Sequence, residues 1–149
     1  MTATARFSLS DLKTVQAIQG WEEFLRDGEG YLKTATVAHA ERKSAFTPEI
    51  LYNIIAMAIE KFVMAALMRH GTMPYNHTMT DLVEAMEETF PGAIVDIKEG
   101  LLQLDAFQQI CDLDGFSITP PGMEEIPAML DLAGKMRILA TQITTHHDL

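Results

Sequence analysis

The fold is decided by residues 47–82, whose sequence is TPEILYNIIAMAIEKFVMAALMRHGTMPYNHTMTDL. Thr47, Pro48 and Glu49 predict a helix start, because the threonine hydroxyl can accept from a free backbone amide and proline needs no donor at the first helical position. An acidic side chain there also favours the positive end of the helix dipole. Apolar residues then recur at steps of three and four and fill the other faces as well. The pattern predicts a helix that is buried on most sides.

The end of this helix and the start of the next are also marked in the sequence. Gly71 can take the left-handed conformation that closes many helices, and Arg69 and His70 in the last turn can meet the final carbonyls. After a polar loop, Thr78 and Asp81 have the spacing of a capping box, with aspartate in place of the usual glutamate. The stretch therefore predicts two helices joined by a short loop.

Composition limits the protein to few classes. A chain of 149 residues with 48% apolar content predicts one domain over residues 1–149, with its core at about 11–144. The formal net charge of −10 opposes nucleic acid, so such a partner would need a local basic patch. A single cysteine and no leader-like segment favour the cytoplasm. Glu60 and Lys61 interrupt the apolar helix, which argues against a membrane span.

Five amphipathic segments and no alternating strand pattern predict an all-α protein. Short connections between them indicate an antiparallel four- or five-helix up-and-down bundle. The first segment can start at Ser10 and bend at its glycines, the last tolerates Pro127 in its first turn, and residues 144–149 are expected to fray. The predicted helices cover approximately Asp11–Ala40, the stretch from Thr47 to Gly71, Thr78 or Thr80 to Phe90, Ala93–Cys111, and Met123 onwards.

Candidate functional residues cluster at one end of the central helix. Arg69 could hold an anion, and Asn76 could orient His77. Lys61, earlier in the helix, is a possible added charge, and His70 is a further ligand-binding candidate. The alternative is that Asn76 and His77 bond the loop backbone or the end of the helix, as polar residues in turns commonly do. Both interpretations remain open at the level of sequence.

The sequence gives little support for a metal site, a reactive cysteine or a phosphate-binding loop. No glutamate has a histidine three residues later, so the ligand spacing of a di-iron bundle is absent. His146, His147 and Asp148 could grip a metal, but a terminal tail explains them more simply. Cys111 is followed by Asp112, a carboxylate that works against thiolate chemistry. No glycine-rich phosphate loop occurs. We therefore expect no metal and no cofactor.

Several short runs together form a recognisable pattern over about Trp21–Thr144. They are Ala58–Lys61, Ala65–Leu67, Gly71, Pro74, Thr80–Leu82, Ile110–Cys111 and Glu124–Ala140. This pattern resembles the HEPN family, the higher eukaryotes and prokaryotes nucleotide-binding helical bundles. The resemblance implies a helical bundle that commonly pairs with a second copy. It also implies a protein partner such as a nucleotidyltransferase, or a toxin–antitoxin role.

The catalytic signature of the family's ribonucleases is not present. Those members carry an arginine, four to six residues and a histidine, whereas Arg69 and His77 are separated by seven residues. Asp112–Gly115 stands where many members have an aromatic pair with arginine, and Met64 stands where lysine is common. The resemblance therefore implies the family's fold more than its nuclease activity.

Three functional hypotheses follow. The first is a noncatalytic HEPN-like cytoplasmic protein that acts as a homodimer or through a protein partner. The second is a divergent ribonuclease or nucleotide-binding protein that uses Arg69 and His77, with Lys61, His70 and Asn76 as further ligand-binding candidates. The third is a bundle that binds a ligand in an apolar pocket.

Overall fold

A computed structural model describes residues 16–108 and 121–145, and every regular element within these two ranges is helical. The predicted all-helical class is confirmed. A turn of 3-10 helix, Met123–Glu125, leads directly into the last helix. The α-helices are α1 Trp21–Ala40, α2 Pro48–Arg69, α3 Met79–Thr89, α4 Lys98–Gln103, α5 Asp105–Gln108 and α6 Ile126–Thr145.

The central helix α2 has the predicted ends. The Thr47 hydroxyl accepts a hydrogen bond from the Ile50 amide at 3.2 Å, and Gly71 lies just beyond the helix with a φ of +76°. All side chains from 62 to 68 are buried, and α1, α3 and α6 all pack on α2. By length and composition α2 could cross a membrane, but 67% of its most apolar window is buried within the protein.

Helices α1 and α2 run in opposite directions and approach closely at a glycine. Trp21 at the start of α1 lies beside Arg69 at the end of α2, and Gly28 lies against the ring of Phe62. A Cβ atom added at Gly28 would come within 2.8 Å of that ring. Because Phe62 is itself fully buried, the missing side chain at Gly28 sets the distance between the two helices.

The predicted start of the first helix is wrong within the described residues. Gln16 to Gly20 are not helical, and α1 begins at Trp21. Gly20 has a φ of +99°, a conformation that glycine adopts without strain and that cannot continue a helix. The segment before it instead bonds to the end of α2, where the Ile18 amide donates to the Met68 carbonyl at 2.7 Å. The expected cap at Ser10 lies outside the described residues.

The predicted helix from Ala93 to Cys111 is also wrong in its extent. Residues 91–97 form turns, and two short helices, α4 and α5, are separated at Leu104. The buried Tyr52 hydroxyl donates to the Leu104 carbonyl at 2.9 Å, so a contact with α2 fixes the chain at this break. The apolar stripe predicted there still faces the core at Ile94 and Leu101. Cys111 lies outside the described residues.

A carboxylate from α5 caps the start of α3. Thr78 is the N-cap residue, as predicted, and its hydroxyl accepts from the Asp81 amide at 3.1 Å. Asp105 then accepts from the amides of Met79 at 3.0 Å and Thr80 at 2.9 Å. The Thr80 hydroxyl also donates to the same carboxylate. One acidic side chain therefore satisfies two free amides of α3 and joins it to α5.

The last helix begins and ends close to the predicted positions. Pro127 lies in the first turn of α6, where its missing amide costs nothing. The predicted fraying from Thr144 is wrong for the first two residues, because α6 continues through Thr145 and Thr144 is only 2% exposed. Residues 146–149, including the candidate metal ligands His146, His147 and Asp148, lie outside the described residues.

Substitution at Gly28 tests the close contact between α1 and α2. We expect Gly28→Ala to lower the free energy of unfolding by about 1–3 kcal/mol, because a methyl group is forced against a buried ring. Gly30→Ala is the matched control, since nothing lies within 4 Å of a Cβ atom at that position. It should raise stability by about 0.5–1 kcal/mol through helix propensity. Urea unfolding of both variants measures the difference, and equal effects would contradict the proposed packing role.

Candidate functional site

The structure does not bring Arg69 and His77 together. The Nδ1 atom of His77 bonds to the Glu60 carboxylate, whereas the Arg69 guanidinium lies over the Trp21 ring, 5.9 Å from its centroid. Glu60 and Arg69 are nine residues apart on α2, which puts them about 14 Å apart along the axis and on opposite faces. The two candidates therefore contact different elements of the fold.

Lys61 and His70 contact aromatic rings. The Lys61 ammonium lies 4.6 Å from the centroid of the Phe24 ring on α1. The His70 ring lies 5.3 Å from that of Phe90, between their centroids. Asn76 is exposed in the loop between α2 and α3. These placements give Lys61 and His70 structural contacts away from His77.

Glu60, which the sequence did not single out as a partner, is the group that orients His77. An ionised carboxylate can only accept, so Nδ1–H of the imidazole donates and Nε2 is left to accept a proton or bind a ligand. The side chains of His77 and Glu60 are 55% and 31% exposed. A small cavity of about 210 Å³ adjoins the pair, with Asn53, Met57 and Leu82 in its lining.

The Glu60–His77 pair supplies one of the two groups that phosphodiester cleavage requires. A carboxylate-held imidazole is suited to proton transfer, but an anion also needs a cation or a set of amide donors. Among the lining residues in the described part of the chain, His77 is the only basic one. Within residues 16–108 and 121–145 there is also no group of three metal-ligating side chains.

Three exposed side chains share one face of α2, and we call them the α2 stripe: Ile50, Asn53 and Met57. Asn53 and Met57 also line the cavity beside Glu60 and His77. The side chains of Ile50 and Met57 are 42% and 39% exposed although most of the helix is buried. Met73 and Tyr75 in the following loop are 54% and 92% exposed. The helical spacing of Ile50, Asn53 and Met57 can be seen in the sequence, but the sequence alone could not show which face of α2 stays uncovered.

A larger groove, about 570 Å³, lies where α1 ends and α2 begins. A groove at this connection was not predicted from the sequence. The residues that line it come from α1, the connection, α2 and the turn before α6. They are Ala38, His39, Arg42, Lys43, Ser44, Phe46, Thr47, Pro48, Leu51 and Met123.

The Glu60–His77 bond should anchor the loop between α2 and α3. We expect Glu60→Ala to speed chymotrypsin cleavage after the exposed Tyr75 by about fivefold, because one hydrogen bond of about 1 kcal/mol is lost. Glu84→Ala is the control, since Glu84 is an exposed acid on α3. Mass spectrometry of the fragments gives both rates, and identical cleavage in the two variants would show that the bond does not anchor the loop.

Comparison with known proteins identifies no relative of this chain. No protein-family model matches the chain, and neither a curated protein nor a solved structure does. The structure itself establishes an all-helical fold in the described ranges. The exposed side chains and cavities of the described residues are therefore the basis for inferring function.

Proposed function

We propose that this protein is a noncatalytic, HEPN-like, cytoplasmic helical bundle with up-and-down topology that acts by pairing with a second copy of itself. The observation that carries the proposal is the α2 stripe, an apolar face left uncovered on the most buried helix of the fold. Exposed apolar side chains that share one helix face and are flanked by polar residues are typical of interaction sites. The resemblance to HEPN domains supports pairing, since members of that family commonly form dimers.

The spacing of the stripe suits a two-fold contact. In a symmetric dimer a residue i that meets residue j is matched by j meeting i. If two α2 helices cross in opposite directions at Asn53, Ile50 of each copy lies beside Met57 of the other. The apolar residues are then buried against each other, and the two Asn53 amides can bond across the axis.

One helix stripe is too small for a stable interface, so the adjoining loop is needed as well. Stable interfaces bury about 1,200–2,000 Å² in total. Tyr75 is two residues from His77, whose bond to Glu60 holds the loop beside α2, so Met73 and Tyr75 can extend the contact. Tyrosine and methionine are both enriched at interface centres. A nucleotidyltransferase-type partner would use the same surface in place of the second copy.

Sedimentation velocity at micromolar concentration tests the homodimer. We expect the unaltered chain to sediment as a dimer, and Met57→Glu to weaken dimerisation by at least about tenfold because a charge is buried in the interface. Ile138→Glu is the matched control, since Ile138 is 55% exposed on α6, away from the stripe. It should remain dimeric.

Two outcomes would overturn the homodimer. The first is a monomeric unaltered chain, which would leave the stripe to a different protein. The second is a dimer disrupted by Ile138→Glu and not by Met57→Glu, which would put the interface on α6. Circular dichroism of each variant confirms that the helical content is unchanged.

A second candidate function is a divergent ribonuclease or nucleotide-binding protein, and the Glu60–His77 pair is the observation that favours it. This candidate predicts RNA loss that falls by about 10²–10⁴-fold in His77→Ala, the usual contribution of a general base. His39→Ala, at a histidine on α1, is the control and should keep full activity. Intact RNA and no thermal shift with nucleotides would remove this candidate and leave the noncatalytic proposal.

A further inference from the structure

The groove between α1 and α2 has an apolar floor and a basic edge. Ala38 and Leu51, which are 2% and 1% exposed, form the floor, and Phe46 lines the wall. His39, Arg42 and Lys43 line the same groove. Its volume of about 570 Å³ is within the range of roughly 300–1,000 Å³ found for small-molecule pockets.

The basic edge is presented by a turn with a defined backbone. The Arg42 amide donates to the His39 carbonyl at 3.2 Å, the Lys43 amide to Ala38 at 3.1 Å, and the Phe46 amide to Lys43 at 3.0 Å. These bonds hold the connection against the end of α1. The backbone that carries His39, Arg42 and Lys43 is therefore fixed beside the groove that these residues line.

The ionised side chains that line the groove, Arg42 and Lys43, are both positively charged. The chain carries a formal net charge of −10, yet two permanent cations and a histidine lie together at this groove. Glu41 lies 3.6 Å from the Lys43 ammonium, but both side chains are about half exposed, so their pairing is weak. The other nearby acids in sequence are Glu49 and Glu124, which are exposed, and Glu125, which accepts a hydrogen bond from the Gly122 amide. None of the three lines the groove.

We infer that this groove binds a small molecule with an apolar body and one anionic head, of the class of a long-chain carboxylate. The apolar body lies on Ala38, Phe46 and Leu51, and the head lies between Arg42 and Lys43. Lysine and arginine stems add apolar contact while their charges stay at the edge. Charge complementarity selects the anion, because a cation of equal length would meet two like charges.

This site is distinct from the proposed dimer surface. Leu51 follows Ile50 in sequence, but one residue turns about 100° around a helix, so the groove and the α2 stripe occupy different sides of α2. Binding in the groove does not require the second copy. Failure of either proposal leaves the other standing.

Isothermal titration calorimetry of the full chain with dodecanoate, below its micellar concentration, tests the inference. Dodecylammonium is the comparison ligand, with the same chain and the opposite charge. We expect saturable binding of one dodecanoate per chain and weaker binding of dodecylammonium. The net negative charge of the protein works against this order, so the preference has to come from the groove.

Paired variants locate the binding. We expect Arg42→Asn/Lys43→Gln to weaken dodecanoate binding about two- to thirtyfold, the sum of two exposed charge contacts. Asparagine suits position 42, where the φ is +52°. Lys33→Gln/Lys135→Gln removes the same charge elsewhere and should change binding less than about twofold by the same screening argument.

Three results would overturn the inference: no saturable binding of dodecanoate, equal affinity for dodecylammonium, or equal losses in the two double variants. Urea unfolding of the Arg42→Asn/Lys43→Gln variant shows whether it folds. Because both positions are exposed, we expect its urea midpoint to match that of the unaltered chain.

Discussion

The burial of two successive turns of α2 on every side is the constraint on which the rest of the structure depends. Residues 62–68 are all buried, so apolar surface must be supplied around the full circumference of the helix. Helices α1, α3 and α6 supply it, and small residues make their approach close. Gly28 meets Phe62 directly, and Ala65 and Ala66 keep α2 itself narrow. A helix can be enclosed in this way because its backbone bonds are satisfied internally.

The parts of the fold that were predicted correctly are those specified by local bonds. Thr47 caps through an amide three residues away, and Thr78 does the same at α3. Gly71 marks the end of α2 through its own backbone conformation. Such signals involve neighbours within one helical turn, so the sequence contains all the interacting groups. The apolar periodicity of α2, α3 and α6 is local in the same sense.

The predicted helix boundaries were wrong where a contact distant in sequence determines the local structure. The segment before Gly20 bonds to Met68, and Leu104 is held by Tyr52, 52 residues earlier. Asp105 caps α3 from 25 and 26 residues away, although in sequence it resembles any acidic residue on a polar face. None of these pairings has a fixed spacing. Propensity and periodicity therefore could not place the start of α1 or the break between α4 and α5.

The candidate site shows the same division between local and distant information. The cluster of polar residues after α2 was found, and so was His77, but its partner Glu60 was missed because the two are 17 residues apart.

Helical geometry also explains why one helix can carry unrelated surfaces. Glu60 and Arg69 point to opposite sides of α2, and Ile50 and Leu51 point about 100° apart. A helix that is enclosed on every side over residues 62–68 can expose different faces along the rest of its length. Its uncovered apolar stripe and its basic-edged groove differ in charge and shape, and so they call for partners of different chemistry.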